Sequence, residues 1–189
     1  FRNASMKQAA LDRTQGPEAD FSQADLEGAS LRKADLPQSV WAGATLARAV
    51  LDHTVLDKAR MVQVNGQNLS AVETQFVDAE LRTANLERAV LTKADFTRAT
   101  LDQSNLRSVS AHGVRFLETS ARQICLADAD LTQSRAMQGS DFSESDMTRT
   151  RCTQAAWSGA VFHRTNLSQA DLDGANLMGC DLSQATLFK

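Results

Sequence analysis

Clustered carboxylates are the first candidates for chemistry in this sequence. The stretch ADLEGASLRKADL places Asp25, Glu27 and Asp35 within a few residues of one another. Two neighbouring carboxylates can share the general acid and general base roles in a hydrolase, and they can also bind a metal ion. Which of these is possible depends on the structural elements that carry the three side chains.

Other residue types that commonly serve catalysis or metal binding are few and scattered. His53, His112 and His163 are far apart in sequence, whereas a metal site needs ligands that converge. The sequence has no phosphate-binding loop and no nucleophile–base pair at a suggestive spacing. We therefore predict that the protein is not an enzyme, with no catalytic residue, no cofactor and no metal site.

A five-residue period runs along the whole chain. Leucine and aromatic residues recur at intervals of five, and only Leu69, Leu117 and Phe188 among these residue types stand outside this register. A small residue, usually alanine, lies two positions earlier, and the residue between them is often Asp or Asn. A period of five fits neither an α-helix nor a simple strand. It fits a chain that turns a corner every five residues, with one large and one small side chain pointing inward each time.

The repeated motif, A(D/N)LXX, resembles that of the pentapeptide repeat proteins, and the resemblance covers essentially all of the chain. It implies an all-β fold, a right-handed quadrilateral β-helix with four pentapeptides in each coil. Residues 1–189 would form a single domain, a solenoid of roughly nine coils. Asp25 and Asp35 are then half a coil apart, on opposite walls with the core between them, and cannot act as a pair. Cys152 and Cys180 fall at inward positions, where thiols serve as small apolar groups.

Charged residues twenty positions apart alternate in sign, which suits coils that stack like neighbouring strands. Opposite charges are expected to face each other up the walls. The clearest series are Asp12, Arg32 and Asp52; Lys58, Asp78, Arg98 and Glu118; and Arg82, Asp102 and Arg122.

The repeat is irregular in two segments, residues 61–76 and residues 132–141. In the first, Gly66 occupies a large position and Leu69 a small one, which favours an exchange of volume within a continuous coil over a loop. In the second, the repeat resumes at Phe142 one residue late, which favours a bulge at a corner over a recognition loop. Gly139 is available for an unusual backbone angle there.

Regular coils predict nearly flat walls without a deep pocket, so binding is the expected activity. We predict a rigid solenoid that acts as a protein-interaction or scaffold module for a protein partner whose identity the sequence does not give. The predicted contact strip consists of Val77, Leu117 and Met137, which are separated by multiples of twenty residues, with Val55 beside them. Single apolar residues are common on protein surfaces, so a strip without function is the other interpretation.

The resemblance also implies an alternative function, a DNA-mimicking modulator of DNA gyrase. Some pentapeptide repeat proteins resemble B-DNA in size and charge, bind gyrase and confer quinolone resistance. DNA carries about one negative charge per 1.7 Å of its axis. This chain has 20 basic and 23 acidic residues and a formal net charge of −3, which argues against mimicry and against direct nucleic-acid binding.

The sequence gives fewer signals for cellular location and assembly than for the fold. No apolar run approaches the roughly 20 residues that span a membrane, and no signal-peptide pattern is visible. We therefore expect a cytoplasmic protein, bacterial by the resemblance. Because the first and last repeats lack a polar cap, we also expect either attached domains of a larger chain or an end-to-end homodimer.

Overall fold

Each pentapeptide forms one side of a square coil in the computed structural model, which describes residues 1–188. The residue before each large inward residue forms a parallel bridge to the coils below and above, as Asp25 does to Ser5 and Thr45. The bridged residues are twenty apart from Ser5 to Asp130. Two bridges extend into short parallel strands, β1 (Arg115–Phe116) and β2 (Arg135–Ala136). The predicted coil of four pentapeptides in a right-handed β-helix is confirmed.

The corners are β-turns whose third residue has a left-handed backbone conformation. At one such corner, the Ala24 N–H donates to the Phe21 carbonyl at 3.0 Å, and Gln23 has a φ of 57°. A positive φ at this position is typical of type II turns. A positive φ recurs at the third residue of every corner of residues 1–188, mostly on non-glycine residues, each at a cost of about 1–2 kcal/mol. Backbone bonds between coils offset this cost, such as the one from the Gln23 N–H to the Ala42 carbonyl at 2.9 Å.

The core consists of the large and small inward residues stacked along the axis. Phe76 stacks on Phe96 with ring centroids 4.8 Å apart. Trp41 is fully buried, and its indole N–H donates to the Ser39 hydroxyl at 2.6 Å. Within residues 1–188, every buried side-chain nitrogen or oxygen has a hydrogen-bond partner. Burial raises the pKa of the Cys152 thiol to about 12, so this cysteine stays protonated and fills space in the core.

Residues 61–76 form a continuous coil, as the exchange of volumes predicts. Asn65 and Ser70 make the usual bridges to the coils on both sides. The buried Leu69 occupies the space that a side chain at Gly66 would need, because a Cβ built there would overlap the Leu69 methyl group. It would also come within 2.9 Å of Leu86 Cδ2. The alternative of a loop in this segment is wrong.

Residues 132–141 contain a one-residue bulge, also as predicted. The bridge from Ser120 reaches Asp141, a step of 21, and the step returns to twenty with the bridge from Asp141 to Val161. The extra residue is Met137, which lies between the buried Ala136 and the next turn. That turn contains Gly139 with a φ of 94°. Residues 1–188 include no helix long and apolar enough to cross a membrane.

Candidate functional site

The clustered carboxylates are not a site. Asp25 and Asp35 lie on opposite sides of the coil, since Asp25 bridges Ser5 and Thr45 whereas Asp35 bridges Gln15 and Val55. The Asp25 carboxylate accepts the Glu27 N–H at 3.1 Å, a bond that supports the turn. Lys7 in the neighbouring coil forms ion pairs with Asp25 at 3.2 Å and with Glu27 at 2.9 Å. These carboxylates organise a corner and leave no paired acid and base.

The histidines do not converge on a common centre. The His53 ring lies 3.4 Å from the Glu73 carboxylate, and His163 Nδ1 lies 2.7 Å from the Ser183 hydroxyl. Across residues 1–188, no group of three or more His, Cys, Asp or Glu side chains is arranged to hold a metal ion. These residues therefore offer surface polar contacts of ordinary kinds.

Ion pairs between adjacent coils neutralise much of the wall surface, as the alternating signs predict. Arg98 holds Asp78 with two hydrogen bonds, at 2.7 Å and 2.8 Å. This bonding keeps the pKa of Asp78 below its usual value. Arg149 holds the Asp128 carboxylate at 2.6 Å and lowers its pKa in the same way. These two carboxylates face cations of their own chain, so their negative charge is already compensated and is not left for a partner.

The predicted contact strip lies on one side of the rod, which we call the bulge wall. Its inward residues along the axis are Leu36, Leu56, Phe76, Phe96, Phe116, Ala136 and Trp157.

The strip on the bulge wall is in two parts. Val55, Val77 and Leu117 are partly exposed, whereas Met137 is 47% exposed because the inserted residue has no place in the core. Leu117 and Met137 line one shallow depression, and neither Val55 nor Val77 is part of it. The structure therefore brings together only the second half of the predicted strip.

The depression beside Met137 has a volume of about 150 Å³. It forms where short side chains follow long ones along the wall, since Ala136 takes the inward position that Phe116 holds one coil earlier. Its lining residues are Leu117, Arg135, Ala136, Met137, Ala156 and Ser158.

Ser140 fixes the bulge from the inside, and sequence reasoning missed it. Its buried hydroxyl donates to the Phe116 carbonyl at 2.6 Å and accepts the N–H groups of Glu118 and Met137, both at 3.1 Å. Two N–H groups that the insertion leaves outside the regular ladder are thus satisfied by one side chain, while its bond to the Phe116 carbonyl is of the kind that Thr54 makes to Leu31 in a regular coil. A serine at a small inward position is common in this chain, so the sequence carries no signal for this role.

Arg135 borders the depression and lies directly opposite Arg115 in the paired strands. Arg115 is paired with Asp95 at 3.4 Å. In the part of the chain that the structure describes, Arg135 makes no ion pair of its own. The depression therefore has an apolar floor and one cationic edge.

Three larger depressions lie elsewhere on the rod, and in two of them an acidic lining residue is already paired with an arginine. One is lined by Glu18, Asp20, Gln38, Val40, Lys58 and Arg60, and there Asp20 is already paired with Arg2. In the second, Arg122 and Asp141 neutralise each other. The third lies beside the last coil, around Leu172 and Phe188.

Comparison with known proteins gives a consistent family. The family model described as pentapeptide repeats matches in eight copies, over residues 1–32, 29–65, 72–107 and 145–184. The unmatched stretches between these ranges hold the two irregular segments, around Leu69 and Met137. No curated protein sequence gives a significant match.

Two solved structures show the same architecture. HetL, a pentapeptide repeat protein involved in heterocyst differentiation regulation from the cyanobacterium Nostoc sp. strain PCC 7120, is 25% identical with a TM-score of 0.90. The match covers 97% of this chain and 84% of HetL. A trypsin-treated variant of QnrB1, a plasmid-mediated fluoroquinolone resistance protein, is 19% identical with a TM-score of 0.54, over 97% of this chain and 89% of that one. At that identity the likeness to QnrB1 is one of fold.

Proposed function

The chain belongs to the pentapeptide repeat family, and we propose that it works without catalysis, as a rigid rod that binds a partner protein through the bulge wall. The observation that carries this proposal is the exposed Met137 beside Leu117 in one depression. Methionine is enriched in the cores of protein–protein interfaces, so a methionine that an insertion holds out of the core is suited to anchor a protein contact. The match to HetL, which is involved in heterocyst differentiation regulation, is in keeping with a binding role.

Rigidity is what makes this surface useful for recognition. Met137 is held at the wall because the Ser140 hydroxyl bonds its N–H, and Ser140 is itself bonded to the coil below through the Phe116 carbonyl. A preformed surface loses less conformational entropy when it binds than a mobile loop does. The bulge therefore presents an apolar group at low cost.

Affinity capture with matched variants tests the proposal. Immobilised parent protein, Met137→Asp and Leu117→Asp are each exposed to a lysate of the source organism, and the retained proteins are quantified. Val90→Asp is the control, because Val90 is also exposed (38%) but lies on another wall. We expect a partner that the parent and the control retain and that the other two variants lose. Retention of the same proteins by all four would contradict a contact at the bulge wall.

Modulation of DNA gyrase by DNA mimicry is the alternative function, and the ion pairs on the walls weigh against it. A mimic needs uncompensated negative charge along its length. Here the carboxylates of Asp78 and Asp128 are held by Arg98 and Arg149. A supercoiling assay with purified gyrase decides this alternative, and we expect neither inhibition nor protection. End-to-end pairing and attached domains stay predictions.

A further inference from the structure

The facing pair Arg115 and Arg135 departs from the alternation of sign that columns such as Asp78, Arg98 and Glu118 follow. Two guanidinium groups face each other here across paired strands, and Arg13 with Lys33 is another like-charged pair in adjacent coils. Like charges directly opposite destabilise a sheet. Asp95 relieves Arg115 from one side, but the residue that bridges Arg135 from the other side is Ala156. A carboxylate is therefore missing from the place beside Arg135 where the column pattern would put one.

The depression next to Arg135 suits one apolar side chain. Its volume of about 150 Å³ matches that of an engineered cavity that binds a benzene-sized group. Leu117, Ala136 and Met137 provide apolar contact, and Ala156 and Ser158 keep the upper edge low. The apolar floor and the cationic edge are adjacent, so one short segment could contact both.

Glu118 sets the orientation of such a segment. It follows Leu117 in the chain, on the side of the wall away from Arg135, and its side chain packs against the corner at Gly139. An acidic partner residue would be repelled near Glu118 and attracted near Arg135. A carboxylate of the partner is therefore favoured on the Arg135 side of the depression.

We propose that this depression binds a segment of the partner protein in which a large apolar side chain lies next to an acidic residue. The apolar side chain, of the size of leucine, methionine or phenylalanine, enters beside Met137, and the carboxylate pairs with Arg135. This inference rests on the proposed function, because it names the chemistry of the segment that the bulge wall binds. Pairing of Arg135 with a partner carboxylate also removes its repulsion from Arg115, which adds to the gain on binding.

Selection from a random heptapeptide library displayed on phage tests the proposal with the full chain. The parent protein is the target, and peptides that also bind Met137→Asp are removed by counter-selection. We expect enriched peptides to carry Asp or Glu within two residues of Leu, Met or Phe. Synthetic peptides from this set, labelled for fluorescence anisotropy, should bind Arg135→Glu at least about tenfold more weakly than the parent.

Two controls make the assignment specific. Arg60→Glu reverses a cation on a different wall that also lacks an ion pair within residues 1–188, and it should change the affinity less than about twofold. A peptide whose acidic residue is replaced by lysine should bind Arg135→Glu better than it binds the parent. Thermal unfolding of each variant verifies that the rod is intact.

The outcomes separate this inference from the function on which it rests. Enriched peptides that need Met137 but show no acidic preference would overturn the role of Arg135 and leave the bulge wall as a binding surface. Removal of every enriched peptide by the counter-selection, because all of them also bind Met137→Asp, would overturn the site itself. Failure to enrich any peptide would also count against a segment of this kind, whereas capture from lysate decides the proposed function independently.

Discussion

Two repeats break the pentapeptide pattern, one at Gly66 and Leu69 and the other at Ala136 and Met137. The first break changes the packing of the core, whereas the second changes the surface. The first exchanges a large and a small inward residue, and the core absorbs the change because Leu69 fills the space above Gly66. The second adds a residue, and the core has no room for it, so Met137 lies 47% exposed. The bridges on both sides of each repeat remain in place.

The difference shows what this fold tolerates and what it displays. A change of volume can be compensated between two inward positions of the same coil, since packing depends on the total volume as well as on each side chain. A change of length cannot be compensated inward, because every corner and bridge is tied to a step of five residues. An inserted residue must therefore lie at the surface, where a partner can contact it.

Replacement of Leu69 should have the largest effect, because it removes the only large side chain of that repeat. We expect Leu69→Ala to lower the free energy of unfolding by about 3–5 kcal/mol, since Gly66 offers nothing to fill the cavity. Urea denaturation followed by far-UV circular dichroism measures the change. The double variant Gly66→Leu with Leu69→Ala restores the regular pattern and should recover stability to within about 1.5 kcal/mol of the parent.

The single variant Gly66→Leu provides the matched control. It overfills the coil, because the new side chain would meet both Leu69 and Leu86, and it should cost about 1–3 kcal/mol. Additive losses in the double variant would refute an exchange of volumes between these positions.

Replacement of Ser140 should have the next largest effect and act on the bulge alone. Ser140→Ala leaves the Phe116 carbonyl and the N–H groups of Glu118 and Met137 without their partner, at an expected cost of about 2–3 kcal/mol. The control is Ser104→Ala, whose buried hydroxyl donates only to the Leu101 carbonyl and should cost about 1 kcal/mol. Equal losses would show that the bulge does not depend on the Ser140 hydroxyl.

The sequence predicts the core and the corners well because each inward residue repeats a local rule. Leucine and alanine mark the inward positions, and the delayed repeat at Phe142 locates the bulge to a few residues. The left-handed corners had a usable signal, since seven of the nine glycines lie at that position. The role of Ser140 had none, because two of its three bonds, to Phe116 and Glu118, exist only once the coils are stacked. The strip also could not be divided from sequence, since only the stacked coils show that Leu117 and Met137 share a depression.

Deletion of Met137 should have a small effect on stability and a large effect on the surface. Removal of this residue restores the step of twenty between Ser120 and Asp141, and the Glu118 N–H can then donate to the Gln138 carbonyl, as the Lys58 N–H does to Val77. We expect the free energy of unfolding to stay within about 1 kcal/mol of the parent. Binding of the partner captured by the parent protein should be lost. A folded deletion variant that keeps its full affinity would exclude the bulge as the contact.

The smallest expected effect concerns the charge of a carboxylate, Asp57, in an earlier coil of the bulge wall. Burial raises the pKa of Asp57, whose carboxylate accepts the Val77 N–H at 3.2 Å. A pKa above the unfolded value means that the fold favours the protonated acid, so the ionised carboxylate destabilises the fold as the pH rises through that pKa. Asp57→Asn keeps an acceptor for Val77 and should stabilise the protein at neutral pH, by less than about 0.5 kcal/mol, with little change in acid.

In the next coil, the pKa of Asp78 is shifted in the opposite direction, because the hydrogen bonds from Arg98 lower it. Its contribution to stability is present above the unfolded pKa and is lost as the pH falls through the folded value. Asp78→Asn should therefore destabilise the rod at neutral pH, and this difference from the parent should disappear in acid. Thermal unfolding of both variants across this range measures the two trends. Parallel pH dependence in the two variants would mean that burial, and not the available partner, governs both carboxylates.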